Sequence, residues 1–218
     1  MTATTQDSSS PLTKTLDILN TITTLAIGAL AMGGITNGIA FKTFTQLSAH
    51  IYLVTFGFVL IISQGVMSAN PTGGWARTFS YKHKRNIHIA MQIIGSILAI
   101  AGAGVGMSLR SNHNVSRSAH GIMGIFTFVI VIITLLGGCV HVFLNSFLPS
   151  NLTKAGHRIL GFNSVIFVFV TFTLGLEKLY SGTDIFIAYV ILAVISICGI
   201  VAAPVTNVFR RGRNSTFK

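Results

Sequence analysis

Charged side chains are scarce in this sequence. Of its 218 residues only 9% are Asp, Glu, Lys or Arg, only 4 are acidic, and 51% are hydrophobic. A soluble domain of this size carries about a quarter charged residues. The composition therefore excludes an ordinary soluble globular protein and indicates a chain that resides in a membrane.

Cysteine is also rare. The two cysteines, Cys139 and Cys198, fall inside apolar runs, where a lone thiol usually packs as a small apolar group. We therefore expect no disulfide framework. The sequence also lacks a nucleotide-binding glycine loop and a hydrolytic triad, so nothing in it indicates those enzyme classes.

Long apolar runs dominate what is present. A helix of about 20 apolar residues crosses about 30 Å of hydrocarbon. Six such runs predict an all-α, six-transmembrane-helix bundle, at about 18–41, 48–68, 86–108, 118–146, 156–177 and 184–206. The chain then divides into a polar tail at 1–17, one membrane domain at 18–206 and a basic tail at 207–218. Because the first tail does not begin with basic residues, the first run is expected to remain as a span.

The distribution of Lys and Arg predicts the orientation, because basic loops stay in the cytosol. One side holds Lys14, Arg77, Lys82, Lys84, Arg85, Lys154, Arg210, Arg211, Arg213 and Lys218. The other side holds Lys42, Arg110, Arg117 and Lys178. Both termini are therefore predicted to be cytosolic. The net charge of +11 follows largely from this bias and from attraction to anionic lipids, so it requires no nucleic acid.

Four histidines recur at or near the starts of helices two to five. They are His50, His88, His120 and His157, with gaps of 38, 32 and 37 residues. The predicted topology places His50 and His120 near the outer surface and His88 and His157 near the cytosolic one. A single intramembrane histidine can simply hydrogen-bond to a neighbouring helix, but four in two layers indicate metal ligation. Two facing imidazoles are the axial ligands of a six-coordinate haem b, whereas zinc normally takes four ligands.

Glycines near these histidines support a bulky ligand. Gly124 and Gly161 lie four residues after His120 and His157, on the same helical face, and Gly95 lies seven residues after His88. They predict room for a macrocycle beside the imidazoles. Gly102 and Gly106, by contrast, are interpreted as residues that allow two helices to pack closely.

The histidine segments resemble a known family. The stretch KRNIHIAMQIIG is followed by SAHGIMGIFTFVIVIITLLGG, AGHRILGFNSVIFVFVTFTLGL and the closing VTNVFRR. Together they resemble the cytochrome b561 family of transmembrane, ascorbate-dependent reductases, and most of all its short members without a DOMON domain. The resemblance covers nearly the whole chain. It implies that helices two to five form a four-helix core with two haems b, ligated by His50 with His120 and by His88 with His157.

The resemblance also implies a function. In such proteins cytosolic ascorbate donates electrons to the inner haem, and monodehydroascorbate or a ferric chelate accepts them on the other side of the membrane. An endomembrane, such as the endoplasmic reticulum or a vesicle, is favoured over the plasma membrane on the same grounds. The resemblance is compatible with a homodimer.

Basic residues near the inner histidines are candidates for binding the anionic donor or haem propionates. They are Lys82, Lys84, Arg85 and Arg158. Cations at cytosolic helix ends are also expected from topology alone. On the outer side, His113 occupies a loop where similar proteins place a residue of the outer substrate site, and a simple exposed histidine is the alternative.

Two positions depart from the family pattern. Many members have an arginine where this chain has Ser150, and a histidine where it has Gln92. The first departure puts the detailed ascorbate contacts in question. Of the remaining histidines, His83 is expected at the surface, and His141 is the one competitor for the inner ligand positions.

Two other classes of protein remain open. A small cation or proton transporter could use the histidines as a relay, although such relays usually include carboxylates within the spans. The acidic residues, Asp7, Asp17, Glu177 and Asp184, lie at helix ends or in the polar tail. A non-catalytic membrane adaptor would need no histidine layers.

Overall fold

The computed structural model describes residues 11–40, 45–70, 75–110, 118–143 and 150–215. Within these ranges the chain forms six helices and no β-strand, and every helix contains a segment long and apolar enough to cross a membrane. The helices are α1 Pro11–Ala40, α2 Gln46–Ser68, α3 Tyr81–Arg110, α4 Ala119–Phe143, α5 Ser150–Tyr180 and α6 Asp184–Ser215. The predicted all-α, six-helix fold is confirmed.

Several helices extend beyond the predicted apolar runs. α1 begins at Pro11 instead of residue 18, because proline suits the first turn of a helix, where its missing N–H would have no partner. α3 begins at Tyr81 instead of 86, and α6 continues to Ser215 instead of 206. Backbone hydrogen bonds continue a helix beyond the hydrocarbon even where its side chains are polar. Parts of both predicted tails are therefore helical.

Helix caps fix where the histidine helices start. Thr45 and Ser48 form a reciprocal capping box at the start of α2, and the Ser118 hydroxyl accepts a hydrogen bond from the Gly121 N–H at the start of α4. These caps satisfy backbone donors that have no partner within the helix. His50 and His120 consequently lie in the first or second turn of their helices.

The helices form a closed ring. Each packs against its neighbours in sequence, and α1 closes the ring against α6. Buried apolar residues fill the centre between α1, α2, α5 and α6, including Ile27, Val59, Phe169 and Ile200. α2 also touches α5 across this centre, so the histidine-bearing helices α2 to α5 are held together as one group.

Apolar side chains cover the outside of the bundle. Along α4 an exposed stripe recurs at helical spacing, with Ile122, Phe126, Val129, Ile133 and Leu136. An exposed apolar stripe of this length is costly in water and favourable against lipid. The exterior therefore suits a bilayer.

α2 contains a π-helical segment. It runs over Thr55–Ile62, between α-helical turns at Gln46–Val54 and Ser63–Ser68. The Gln92 amide of α3 donates a hydrogen bond to the Ile62 carbonyl at 3.0 Å, and the Ser63 hydroxyl donates to the Phe58 carbonyl at 3.2 Å. These side chains satisfy carbonyls where the regular helical hydrogen-bond ladder is interrupted.

Candidate functional site

The four histidines meet in two pairs at opposite ends of the bundle. The imidazole centroids of His50 on α2 and His120 on α4 lie 6.2 Å apart, with the ring planes at 77°. Those of His88 on α3 and His157 on α5 lie 6.3 Å apart, with the planes at 81°. Along α4, His120 and Thr134, the residue whose carbonyl faces His157, are 14 residues apart, or about 21 Å at about 1.5 Å per residue.

Backbone carbonyls orient three of the four rings. The Nδ1 of His50 donates to the Gly102 oxygen at 2.7 Å, that of His88 to the Gly65 oxygen at 2.9 Å, and that of His120 to the Thr171 oxygen at 3.0 Å. A carbonyl oxygen only accepts, so Nδ1 carries the proton in each ring. Nε2 is therefore left unprotonated, which is the form of imidazole that binds a metal.

His157 follows the same pattern in part. Its Nδ1 is buried and interacts electrostatically with the Thr134 carbonyl, but it lies outside hydrogen-bond geometry. The contacts are thus reciprocal within antiparallel helix pairs. α2 and α3 orient each other's histidines, and in α4 and α5 the Thr134 and Thr171 carbonyls face the histidine of the other helix.

A glycine lies against three of the four rings, four positions after the carbonyl that faces the ring. These glycines are Gly106 after Gly102, Gly175 after Thr171 and Gly138 after Thr134. A Cβ atom at Gly106 would lie 2.6 Å from the His50 Nδ1. At Gly175 and Gly138 a Cβ atom would lie 3.0 Å from Cε1 of His120 and of His157. Because glycine has no side chain at these three positions, the imidazole can lie close to the neighbouring helix.

The structure changes the interpretation of the other glycines. A Cβ atom at Gly161 would meet no atom within 4 Å, and one at Gly124 would meet only Thr171 at 3.8 Å, so both leave space beside their histidines. Gly95 does not, because its Cβ position is 3.0 Å from the Gly57 carbonyl oxygen. The interpretation of Gly95 as room for a macrocycle was wrong. It permits close packing of α2 and α3 instead.

Gly102 and Gly106 were interpreted as packing residues only. In the structure the Gly102 carbonyl orients His50, and Gly106 contacts the His50 ring. The sequence shows that Gly102 and Gly106 correspond to Thr171 and Gly175 in the second half of the chain. Each of the latter follows its counterpart by 69 residues, which is also the separation between His88 and His157 (157 − 88). That offset could have identified them.

The basic residues near the His88–His157 pair differ in their surroundings. Lys84 is 8% exposed and its ammonium donates to the Asn70 carbonyl at 3.3 Å, at the C-terminal end of α2, where a cation stabilises the helix dipole. Lys82, Arg85 and Arg158 have exposed side chains. Within the described ranges the one ion pair is Arg77 with Asp17, so these three exposed cations have no carboxylate partner there.

Two further residues, His141 and Lys154, join this group. His141 contacts Thr153 through its Nδ1 at 3.1 Å and interacts electrostatically with Arg85 and Lys154. It also interacts electrostatically with His157, yet among the described residues its ring forms no facing pair like that of His88 with His157. Lys154 was counted only for orientation in the sequence, because neither its spacing nor a motif links it to the histidines. His83 lies at the surface, where it bonds to the Ser80 hydroxyl at 2.7 Å.

The end of the bundle with His50 and His120 also carries a cation, Lys178, that has no carboxylate partner among the described residues. The Lys178 ammonium donates to the Ser118 hydroxyl at 2.9 Å and interacts electrostatically with His120. Ser118 caps α4, so the cation lies beside a helix N-terminus, and both favour a negatively charged group. His113 lies in 111–117, outside the described residues.

The donor set suits a macrocycle with two axial ligands. An iron bound by two imidazole nitrogens, each about 2.0 Å from the metal and about 1.1 Å from its ring centroid, separates the centroids by about 6.2 Å. The observed separations are 6.2 and 6.3 Å. No group of three or more His, Cys, Asp or Glu residues that could hold a metal ion occurs among the described residues, so the arrangement does not suit zinc.

Comparison with known proteins agrees with this geometry. The family model of eukaryotic cytochrome b561 matches residues 49–182, which is more than half of the chain and includes both histidine pairs. No similar sequence was found among curated proteins. The chain belongs to the cytochrome b561 family, whose members bind haem b and act as transmembrane oxidoreductases.

Proposed function

We propose that this chain carries electrons across a membrane from cytosolic ascorbate to monodehydroascorbate or a ferric chelate on the other side. His50 with His120 and His88 with His157 would each hold one haem b. The observation that carries the proposal is the pair of matched histidine layers at opposite ends of one bundle, each with the centroid separation of an axial ligand pair. When bound, haem b with both axial positions filled supplies one-electron transfer without an open site for oxygen.

The inner end supports an anionic donor. Exposed Arg85 and Arg158 lie close in sequence to His88 and His157, and Lys154 adds a third positive charge near His141. Cations without carboxylate partners attract an anion such as ascorbate and can form charge-assisted hydrogen bonds with it. Lys82 is a further exposed candidate. Lys84 is buried, so its role would be to support the end of α2 and not to contact the donor.

The reaction balances with one electron per event. Ascorbate loses one electron and one proton and becomes monodehydroascorbate, and the proton passes to cytosolic water. At the outer end a ferric chelate gains the electron and becomes ferrous. Alternatively, monodehydroascorbate gains the electron and a proton and returns to ascorbate. Lys178, and His113 on the basis of the sequence, would attract either anionic acceptor.

The orientation follows from the charge bias. We propose that both termini are cytosolic, that an endomembrane holds the protein, and that a homodimer is compatible with this arrangement. Glycosylation at the sequon Asn114-Val115-Ser116, but not at the sequon of Asn214, would agree with the orientation. The reverse pattern would exclude it.

A haem count tests the proposed function directly. Purified full-length protein should contain about two haems b per chain, and ascorbate should reduce them to a low-spin spectrum. His120→Ala and His88→Ala should each lower the content to about one, whereas His83→Ala should leave it unchanged. Folded protein without haem would refute the proposal and favour the transporter or adaptor alternatives.

A further inference from the structure

The pair α2–α3 and the pair α4–α5 pack differently at the positions seven residues after each histidine. In the first half these residues are Gly57 and Gly95, and a Cβ atom at Gly57 would lie 2.7 Å from the Gly95 oxygen. In the second half they are Thr127 and Ser164. Backbones approach directly in the first crossing, whereas hydroxyl groups join α4 and α5 in the second.

Thr127 is the most enclosed of these hydroxyls. Its side chain is 1% exposed, and its Oγ1 lies 2.7 Å from the Thr171 Oγ1 and 3.3 Å from the Phe167 carbonyl oxygen. Each hydroxyl has one proton. Thr127 can therefore donate to Phe167 while it accepts from Thr171, and both bonds form together.

Thr171 connects this bond to a histidine. Its carbonyl oxygen accepts the Nδ1–H of His120 at 3.0 Å, and its hydroxyl bonds to Thr127. The Thr127 bond thus fixes the residue that orients the ring. We propose that Thr127 is a positioning residue for His120, acting through Thr171 to set the angle and electron-donating strength of that imidazole.

The physical reason is the sensitivity of a metal ligand to its supporting hydrogen bond. A bond from the distal ring nitrogen to a carbonyl makes imidazole a stronger electron donor, and outer residues of this kind tune a bound metal. Thr127 is seven residues from His120 on the same helix, about 10 Å away, so it acts only through the intervening residue. The inference rests on the proposed haem between His50 and His120.

The positioning role is tested by removing the Thr127 hydroxyl without changing the side-chain volume. Thr127→Val and Thr127→Ser are compared in haem-loaded full-length protein, with Thr173→Val as the control. Thr173 lies on α5, like Thr171, but among the described residues its hydroxyl donates to the Phe169 carbonyl of its own helix alone, at 2.8 Å. Low-spin ferric electron paramagnetic resonance, redox titration and thermal unfolding are measured on each variant.

Thr127→Val should shift one of two low-spin signals and raise the ratio of reduced to oxidised haem in that component about twofold to tenfold at fixed potential. The other component serves as an internal reference and should not move. Thr127→Ser should restore the wild-type signal, and Thr173→Val should leave both components unchanged. Thr171→Val should shift the same component, and the double variant should match the single ones.

Three results would overturn the inference. They are unshifted signals in Thr127→Val, equal shifts in both components, or an equal effect of Thr173→Val. If Thr127→Val does not fold, Thr171→Val decides: a shift of the same single component supports the inference, and unshifted signals overturn it. Wild-type protein without low-spin haem would instead refute the proposed function itself.

Discussion

Adding one methyl group at Gly106 should displace His50 and empty the proposed site between His50 and His120. The Cβ atom of Gly106→Ala would lie 2.6 Å from the His50 Nδ1 and 2.7 Å from its Cε1, whereas ordinary contacts begin at 3.4 Å. The ring must therefore retreat by about 0.8 Å (3.4 − 2.6), or the two helices must separate. Metal–ligand distances tolerate deviations of about 0.2 Å. His50 could not keep both its Gly102 hydrogen bond and its position opposite His120.

The energetic balance points the same way. Overpacking of this kind costs about 1–3 kcal/mol, and loss of the bond to the Gly102 carbonyl costs about 1 kcal/mol more. The greater helix propensity of alanine returns only about 1 kcal/mol. Gly104→Ala is the matched control, because a Cβ atom there meets nothing within 4 Å, so this variant has the propensity gain without the clash.

Haem content and thermal unfolding of the two variants measure the effect. Under the proposed assignment, Gly106→Ala should fall from about two haems per chain towards one and should retain the component assigned to His88 and His157. Gly104→Ala should keep both haems and unfold at the same temperature or slightly above. Full haem content with an unchanged spectrum in Gly106→Ala would refute the reasoning, since the ring could then not depend on glycine at this contact.

Three further predictions separate structure from substrate binding. Lys84→Met should lower the unfolding temperature without changing the ascorbate concentration needed for half-reduction, because Lys84 caps α2 from a buried position. Arg85→Gln should raise that ascorbate concentration severalfold at unchanged stability. Gly57→Ala should destabilise the protein by about 1–3 kcal/mol in denaturation, because its Cβ would meet the Ala99 nitrogen at 2.6 Å. Gly28→Ala, whose Cβ would meet nothing within 4 Å, should leave the stability unchanged. His141→Ala should keep both haems, and loss of one in optical spectra would make His141 a ligand.

The fold and the two histidine layers could be predicted from sequence because simple physical rules determine them. Hydrophobic length fixes a membrane span, and basic loops fix the side on which each span begins. These rules alone place His50 and His120 at one end and His88 and His157 at the other. The structure brings the same residues together, although the rules contain nothing about distances between helices.

The contacts between helices could not be predicted in the same way. Lys84 and Arg85 are neighbours in one basic run, yet only Lys84 turns inward to the end of α2. Gly95 and Gly106 are both glycines on α3, yet one meets a backbone and the other an imidazole. Which of these occurs depends on the rotation of each helix about its axis, and composition does not determine that rotation.

The π-helix in α2 explains how the two helix pairs keep equivalent geometry, although α2 has one residue more than α4 between the two histidine layers. His120 and Thr134 are 14 residues apart, but His50 and Gly65, the corresponding pair, are 15 apart. One additional residue in an α-helix would rotate Gly65 by about 100° and turn its carbonyl away from His88. The wider turns at Thr55–Ile62 accommodate the additional residue between the two layers. The Gly65 carbonyl can therefore accept the His88 hydrogen bond at one end of the helix while His50 keeps its contact with α3 at the other.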